Sequence, residues 1–339
     1  MSPTESDSSA PTTKPQLLRP FNEFSVIWVA TGLLFLVSAA IPGGLSGASV
    51  LSMLPFASIL AIAAIGQMLV IQQRGIDFSV VGVIGLSTVV ISKYPSTHNN
   101  GLVVAALLVA AVGVLSGLAV GLAVTKLRIT PLIASLGVNA LLLGAAEAYS
   151  GGTPSVAPAI LTRLTNDKTI GIPNTVFLAV AVTAVISFYL HRTTVGRRLK
   201  LIGANPDAAY AQGLPVDTYR IGAYVAAGVC YAAAGVVLAA YVSTPAIDAG
   251  GVYLLATISA VVIGGTPLGG GRASVLATAM GALFLSQLEQ LVVALGAPDS
   301  VQLILQSAAI AVAMALRLAA TRFPLKLAVR RRTAAAKAA

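Results

Sequence analysis

Residues 50–72 read Val50-Leu-Ser-Met-Leu-Pro55-Phe-Ala-Ser-Ile-Leu-Ala-Ile-Ala-Ala-Ile-Gly66-Gln67-Met-Leu-Val-Ile-Gln72, without a single charged side chain. A transmembrane helix needs about 20 mostly apolar residues, and this stretch supplies them. The rest of the chain has the same character. Of 339 residues, 57% are hydrophobic and only 9% are charged, with mean hydropathy +0.89. Soluble domains carry about 25% charged residues, and without them a folded chain cannot cover its surface in water. The solvent is therefore lipid, in which each backbone polar group is bonded within its own helix. The 32 glycines and the abundant alanines fit that medium, because small residues let helices approach closely.

Further windows of this kind lie near 24–41, 78–93, 102–124, 131–149, 174–191, 219–243, 250–265, 273–296 and 300–318. With 50–72 they make ten spans. The third and eighth are short, and the second contains Pro55. The fold class expected is an all-α polytopic membrane protein of about ten transmembrane helices. The basic residues test the count independently, since Lys and Arg concentrate in cytoplasmic loops. Ten spans with both ends in the cytoplasm place 18 of the 21 Lys and Arg inside, leaving Lys93, Arg163 and Lys168 outside. That distribution accounts for the net charge of +10 without a nucleic-acid partner. Residues 1–20, rich in Ser, Thr and Pro, read as a disordered cytoplasmic tail. Residues 21–320 form the membrane domain, and 321–339 form a basic cytoplasmic tail. The apolar run after the first tail reads as an uncleaved first span, because the first basic residues are Lys14 and Arg19.

Two loops are long. Segment 150–173, external in this topology, contains Gly151, Gly152, Pro154, Pro158 and Pro173 and reads as an ordered turn or a partner-facing cap. Segment 192–218 is the long internal loop and carries a helix signature. Asn205 suits an N-cap, Pro206 the first helical position, and Asp207 the positive end of the helix dipole. Gly213 suits the left-handed position after the helix, and Pro215 stops its continuation. The spacing predicts a two-turn helix over roughly 206–212, outside the bilayer. Too short to be stable alone, it rests on its own bundle or headgroups, or it docks a cytoplasmic partner.

The string Gly203-Ala-Asn205-Pro206-Asp207-Ala208-Ala209-Tyr-Ala-Gln-Gly213-Leu214-Pro215-Val resembles the coupling segment of permease subunits in bacterial ABC importers. It is most similar to the ribose permease branch and more distantly to branched-chain amino-acid permeases. Two further strings match that branch. One is Gly66-Gln-Met-Leu-Val-Ile-Gln-Gln-Arg-Gly75-Ile-Asp77-Phe-Ser79-Val, and the other is Ala260-Val-Val-Ile-Gly264-Gly265-Thr-Pro-Leu-Gly269-Gly270-Gly271. In order and spacing the resemblance covers roughly residues 50–318. It implies a multi-pass protein of a bacterial plasma membrane and a pathway formed with a second permease subunit, a homodimer being expected. It also implies two cytoplasmic ATPases and an external substrate-binding protein. The 206–212 helix would sit in a groove of the ATPase, which binds the ATP. No cofactor is expected in this chain, and no phosphate loop occurs: Gly269-Gly270-Gly271 is followed by Arg272 and Ala273. The family pattern usually has Gly before a small residue where this chain has Val81-Gly82.

Other residues admit bland and sharp readings. Asp77 reads as an N-cap accepting from the N–H of Ser79 or Val80, with Gly75 making the tight turn before it. The 264–272 segment reads as a tight helix–helix turn, or as a cytoplasmic gate. Glu147 and Glu289 are acids within apolar windows, where ionisable groups are expensive and face internal cavities. With Gln287, Gln290 and Asn139 they pair with neighbouring helices, or they line a pathway offering hydrogen bonds to a hydroxyl-rich solute. A single cysteine, Cys230, excludes an intramolecular disulfide, and the two histidines, His98 and His191, fall on opposite sides of the membrane, so no metal site is expected. Nothing in this pattern reads as an enzyme. The competing function is a ten-helix secondary transporter driven by an ion gradient through Glu147 or Glu289; a membrane enzyme or scaffold is a third.

Overall fold

The computed structural model describes residues 24–97 and 101–296, with separate positions between 298 and 315. The expected tails 1–20 and 321–339, His98 and most of the tenth window lie outside the described residues. The other nine windows coincide with helices. They are α1 (Val26–Ala39), α2 (Gly47–Gln72), α3 (Val80–Thr97), α4 (Gly101–Thr125), α5 (Pro131–Ser150), α7 (Asn174–Arg192), α10 (Val216–Val242), α11 (Tyr253–Ile263) and α12 (Val275–Ala294). Three short helices lie between them: α6 (Ala159–Asn166), α8 (Thr194–Ala204) and α9 (Pro206–Ala211). A small antiparallel hairpin pairs Lys168–Thr169 with Ile172–Pro173.

Six of these helices, α2, α4, α5, α7, α10 and α12, are long and apolar enough to cross a membrane; α1, α3 and α11 are shorter apolar helices. The protein is a multi-pass membrane protein built from them. At 26 residues α2 spans about 39 Å, more than the roughly 30 Å of a hydrocarbon core. It is the central helix: every residue from Ala57 to Gln72 is buried, and α10, α12, α11 and α7 pack around it. By contrast α4, α5 and α7 turn large apolar side chains outward, among them Leu141 (75% exposed) and Val185 (67%). Faces like these suit acyl chains.

In lipid there is little water to exclude between helices, so packing holds the bundle, and close approach is what makes packing strong. The α4–α10 crossing shows it. A Cβ on Gly117 would lie 2.4 Å from the Tyr224 carbonyl oxygen, and one on Gly228 would lie 2.1 Å from that of Gly113. No larger residue fits this crossing without separating the helices.

The chain shuttles between two ends of the bundle. One end gathers the end of α2, the starts of α3, α10 and α12, and all of α8 and α9. The other holds the α1–α2 turn, α6 and the hairpin. Of the twelve Lys and Arg among the described residues, nine lie at the first end: Arg74, Lys126, Arg128, Arg192, Arg197, Arg198, Lys200, Arg220 and Arg272. Lys93, Arg163 and Lys168 lie at the other. The first is the basic end of the bundle.

Candidate functional site

At the basic end α9 forms where the capping residues predict it. The Asn205 side chain accepts from the Ala208 N–H at 3.1 Å, Pro206 opens the helix and Asp207 lies in its first turn. Gly213 has φ +76° and donates to the Tyr210 carbonyl, while Leu214 N–H returns to Ala209. Only Ala209 of this helix is buried, in a small cluster with Ile202 and Val216. Asp207, Ala208, Tyr210 and Ala211 are exposed, Tyr210 at 76%. The result is a short, rigidly capped ridge projecting from the bundle.

The preceding helix, α8, is absent from the sequence reading, which treats 192–205 as loop. Its signal is nevertheless present. Val195, Leu199 and Ile202 recur at helical spacing and turn inward, while Arg197 and Arg198 stay exposed. Thr193 caps its start, accepting from Gly196 N–H at 3.4 Å.

Three segments far apart in sequence meet where α8 ends. The end of α2 and the turn just after it contribute Gln72, Gln73 and Arg74; α8 contributes Leu199, Gly203 and Ala204; the turn after α11 contributes Gly270 and Gly271. Gly271 N–H donates to the Gln72 carbonyl at 2.9 Å, and Gln72 Nε2 donates back to the Gly271 carbonyl at 3.1 Å. Gln73 Nε2 donates to the Leu199 carbonyl at 2.9 Å. Arg74 Nε donates to the Gly203 carbonyl at 2.9 Å, and its terminal nitrogen donates to the Ala204 carbonyl. Gly203 is required by this closeness: a Cβ there would lie 2.1 Å from the Gln72 carbonyl oxygen. The Gly-rich turn has the left-handed backbone its composition calls for, with φ +92°, +79° and +88° at Gly265, Gly270 and Gly271. Gly264 and Gly269 do not adopt it. Gly264 instead makes room for α12, since its Cβ would lie 2.7 Å from the Ala277 carbonyl oxygen.

Asp77 Oδ1 accepts from Ser79 N–H (2.9 Å), one of the two donors expected, and from the Ser79 hydroxyl (2.6 Å), but it does so in the turn before α3, whose first helical residue is Val80. The tight turn before it differs from the expectation. Arg74, not Gly75, has the left-handed φ of +65°. Gly75 serves proximity instead, as a Cβ there would lie 2.5 Å from the Tyr224 hydroxyl. Gln67, one turn back inside α2, brackets the Asp77 peptide. Oriented so that both ends of the amide find partners, its nitrogen donates to the Asp77 carbonyl (3.1 Å) and its oxygen accepts from Asp77 N–H (3.2 Å). The Tyr231 hydroxyl lies 2.6 Å from the same amide nitrogen. The α2–α3 turn is thus pinned to α2 and α10 by buried polar groups, and each lost bond there leaves an unsatisfied partner.

The pathway candidates do not converge. Gln287 is fully buried and its amide donates to Ser38 Oγ (2.9 Å) and the Gly44 carbonyl (3.1 Å), stapling α12 to the α1–α2 turn. Asn139 Oδ1 accepts from Gly82 N–H at 2.7 Å, so α5 lies against the start of α3. Gly82 permits that contact, since its Cβ would lie 2.7 Å from Leu142 Cβ; the Val81-Gly82 order is therefore a packing requirement here. Glu289 and Gln290 are partly exposed on α12. Glu147 is exposed on the outer face of α5.

Among the described residues this helical bundle and its capped ridge hold no catalytic constellation, and its likeness to known proteins points to transport. The family model described as branched-chain amino acid transport system / permease component matches residues 49–314, over three quarters of the chain. The chain belongs to this permease family. The permease is 30% identical over 292 residues to the ribose import permease protein of Escherichia coli (strain K12), covering 83% of this chain and 89% of that one. Identity to the ribose import permease protein of Bacillus subtilis (strain 168) is 30% over 287 residues, with 84% and 89% covered. The autoinducer 2 import system permease protein of Escherichia coli O9:H4 (strain HS) is 29% identical over 258 residues, with 74% and 77% covered. No solved structure matches the permease. It is a transport component and not an enzyme. The matched span runs from α2 through α12, so it includes the whole junction of α2, α8 and the Gly-rich turn.

Proposed function

We propose that this permease is the pathway-forming subunit of an ATP-binding-cassette importer in a bacterial plasma membrane. It carries a sugar or related small polar solute delivered by an external binding protein. The observation that carries this reading is α9: an exposed, capped helix at the basic end, carried on α8, whose last carbonyls are bonded to the residues at the end of the central helix. Separate cytoplasmic ATPases bind the ATP and dock on its Asp207, Ala208, Tyr210 and Ala211 face. Gly203, Asn205, Pro206, Ala209, Gly213, Leu214 and Pro215 shape that segment. The solute class follows the relatives, whose names specify import of ribose and of autoinducer 2.

The basic end faces the cytoplasm in this reading, because that is where Lys and Arg accumulate. Ten spans, the tenth over 300–318, then place both termini inside. A second permease copy completes the pathway. Glu289 and Gln290 on α12, partly exposed, and Glu147 on α5, exposed, offer hydrogen bonds to the solute in this reading. The Gln287 amide nitrogen and the Asn139 oxygen are bonded to neighbouring segments instead. The alternative, an ion-driven transporter working through Glu147 or Glu289, has no use for an exposed docking helix at the basic end.

Co-expression with a cognate ATPase and binding protein, followed by affinity purification through the permease, tests the proposal. The three components co-purify, and deleting residues 205–213 abolishes uptake while the protein still inserts. Uptake that persists without the ATPase would establish the ion-driven alternative.

A further inference from the structure

The α8–α9 junction is held by a residue that the coupling segment itself does not contain. The final carbonyls of a helix have no partner within it, and those of α8 that immediately precede the Asn205 cap are Gly203 and Ala204. Both accept from the Arg74 guanidinium. A cation closing a helix C-terminus is favoured by the helix dipole, and a guanidinium can address two carbonyls at once where an ammonium acts as a point charge.

Arg74 holds this position at a conformational cost. Its φ of +65° is a left-handed backbone that Gly or Asn adopts more easily. A strained residue of this kind persists only where its surroundings over-determine it. Here they do. Arg74 N–H donates to the Ile71 carbonyl, continuing the turn from α2. Its Cγ lies where a Cβ on Gly270 would come within 2.5 Å, so the Gly-rich turn packs over its stem. Gln72 and Gln73 fix the two flanking segments to the same turn of α2.

We propose that Arg74 is the positioning residue that makes α8–α9, the Gly270–Gly271 turn and the end of α2 move as one body. A push on α9 is thereby delivered to the central helix rather than absorbed at the Ala204–Asn205 junction. The inference rests on the coupling role given to α9 above. It adds that force enters the bundle through α2, and through α11 and α12 at the Gly-rich turn that joins them.

The test uses the full complex of permease, ATPase and binding protein in proteoliposomes, with assembly checked by co-purification. Arg74→Ala assembles, but uptake per ATP hydrolysed falls about ten-fold, the scale of a lost charge-assisted hydrogen bond acting on a two-state equilibrium. Arg74→Lys recovers part of it, since charge and stem return without the fork. A wild-type ratio in Arg74→Ala overturns the proposal. A second measurement does not depend on removing Arg74. A Cβ at Gly271 lies 3.3 Å from Ala204 Cβ, so Ala204→Cys with Gly271→Cys can be joined by oxidation, and the native Cys230 is buried away from it. Uptake is equal in the oxidised and reduced protein if the segments move together. Uptake lost on oxidation and restored by reductant means they separate during the cycle and overturns the proposal. Failure of the ATPase to co-purify with the wild-type permease contradicts the coupling reading instead, so the two failures are distinguishable.

Discussion

Both ends of the bundle close a helix C-terminus with a cation, and the two closures differ in what they hold. At the basic end Arg74 binds the last carbonyls of α8. At the opposite end Lys93 Nζ donates to the Tyr149 and Ser150 carbonyls of α5, at 2.7 and 3.0 Å, and its charge sits 5.4 Å from the Tyr149 ring centroid. The Lys93 contact joins α3 and α5, which already pack along their lengths. The Arg74 contact joins the central helix to α8 and α9, which reach the main core through Leu199 and Val195 and otherwise share one small apolar cluster of Ile202, Ala209 and Val216. The same electrostatic device therefore adds a little stability at one end and decides mechanical continuity at the other. A hydrogen bond between well-packed helices is redundant, whereas one between a bundle and a small appended element is not.

Glycine substitutions separate the ends most strongly. Gly203→Val places atoms inside the Gln72 carbonyl and must part α8 from α2. It should destabilise by about 3 kcal/mol or more and remove uptake, read by thermal unfolding in detergent and by transport. Gly151→Ala at the other end, with φ +70° and open space around it, costs only the left-handed backbone, about 1 kcal/mol, with uptake preserved. If the two variants behaved alike, the tight junction at Gly203 would be wrong.

Gln72→Leu removes the bond to the Gly271 carbonyl and leaves a buried acceptor one partner short, costing about 2 kcal/mol and reducing uptake per ATP. Gln287→Leu costs about 2 kcal/mol through its lost bonds to Ser38 and Gly44, with the KM for solute and the uptake per ATP unchanged. A raised KM would return Gln287 to the pathway. Lys93→Ala is the smallest effect, about 0.5 kcal/mol, and its uptake per ATP stays at the wild-type value. A coupling defect equal to that of Arg74→Ala would erase the distinction between the ends.

Much of the architecture is legible in the sequence because lipid imposes a simple requirement: long apolar runs become helices, and the nine windows that fall among the described residues do. The capped α9 is legible because Asn205, Pro206, Asp207 and Gly213 each act within one or two turns of where they stand. Segment α8 is less so, its three inward residues being interrupted by Arg197, Arg198 and Lys200. The junction is not legible at all. Arg74 reaches carbonyls 129 and 130 positions away, and Gln72 one 199 away, pairings that no local pattern encodes. Gln287 shows a different limit. A buried amide in an apolar helix needs a partner whether that partner is a solute or Ser38, and only the fold says which.

Photo-cross-linking from the two ends tests the account's central claim, that α9 is the surface on which the ATPase acts. A benzophenone side chain is placed at Tyr210 on α9 or at Ile170 in the opposite hairpin, 76% and 91% exposed, in cells co-expressing the ATPase. The account predicts an ATPase adduct from position 210 and none from 170. An adduct from 170, or none from 210 in a complex that co-purifies and transports, would contradict it.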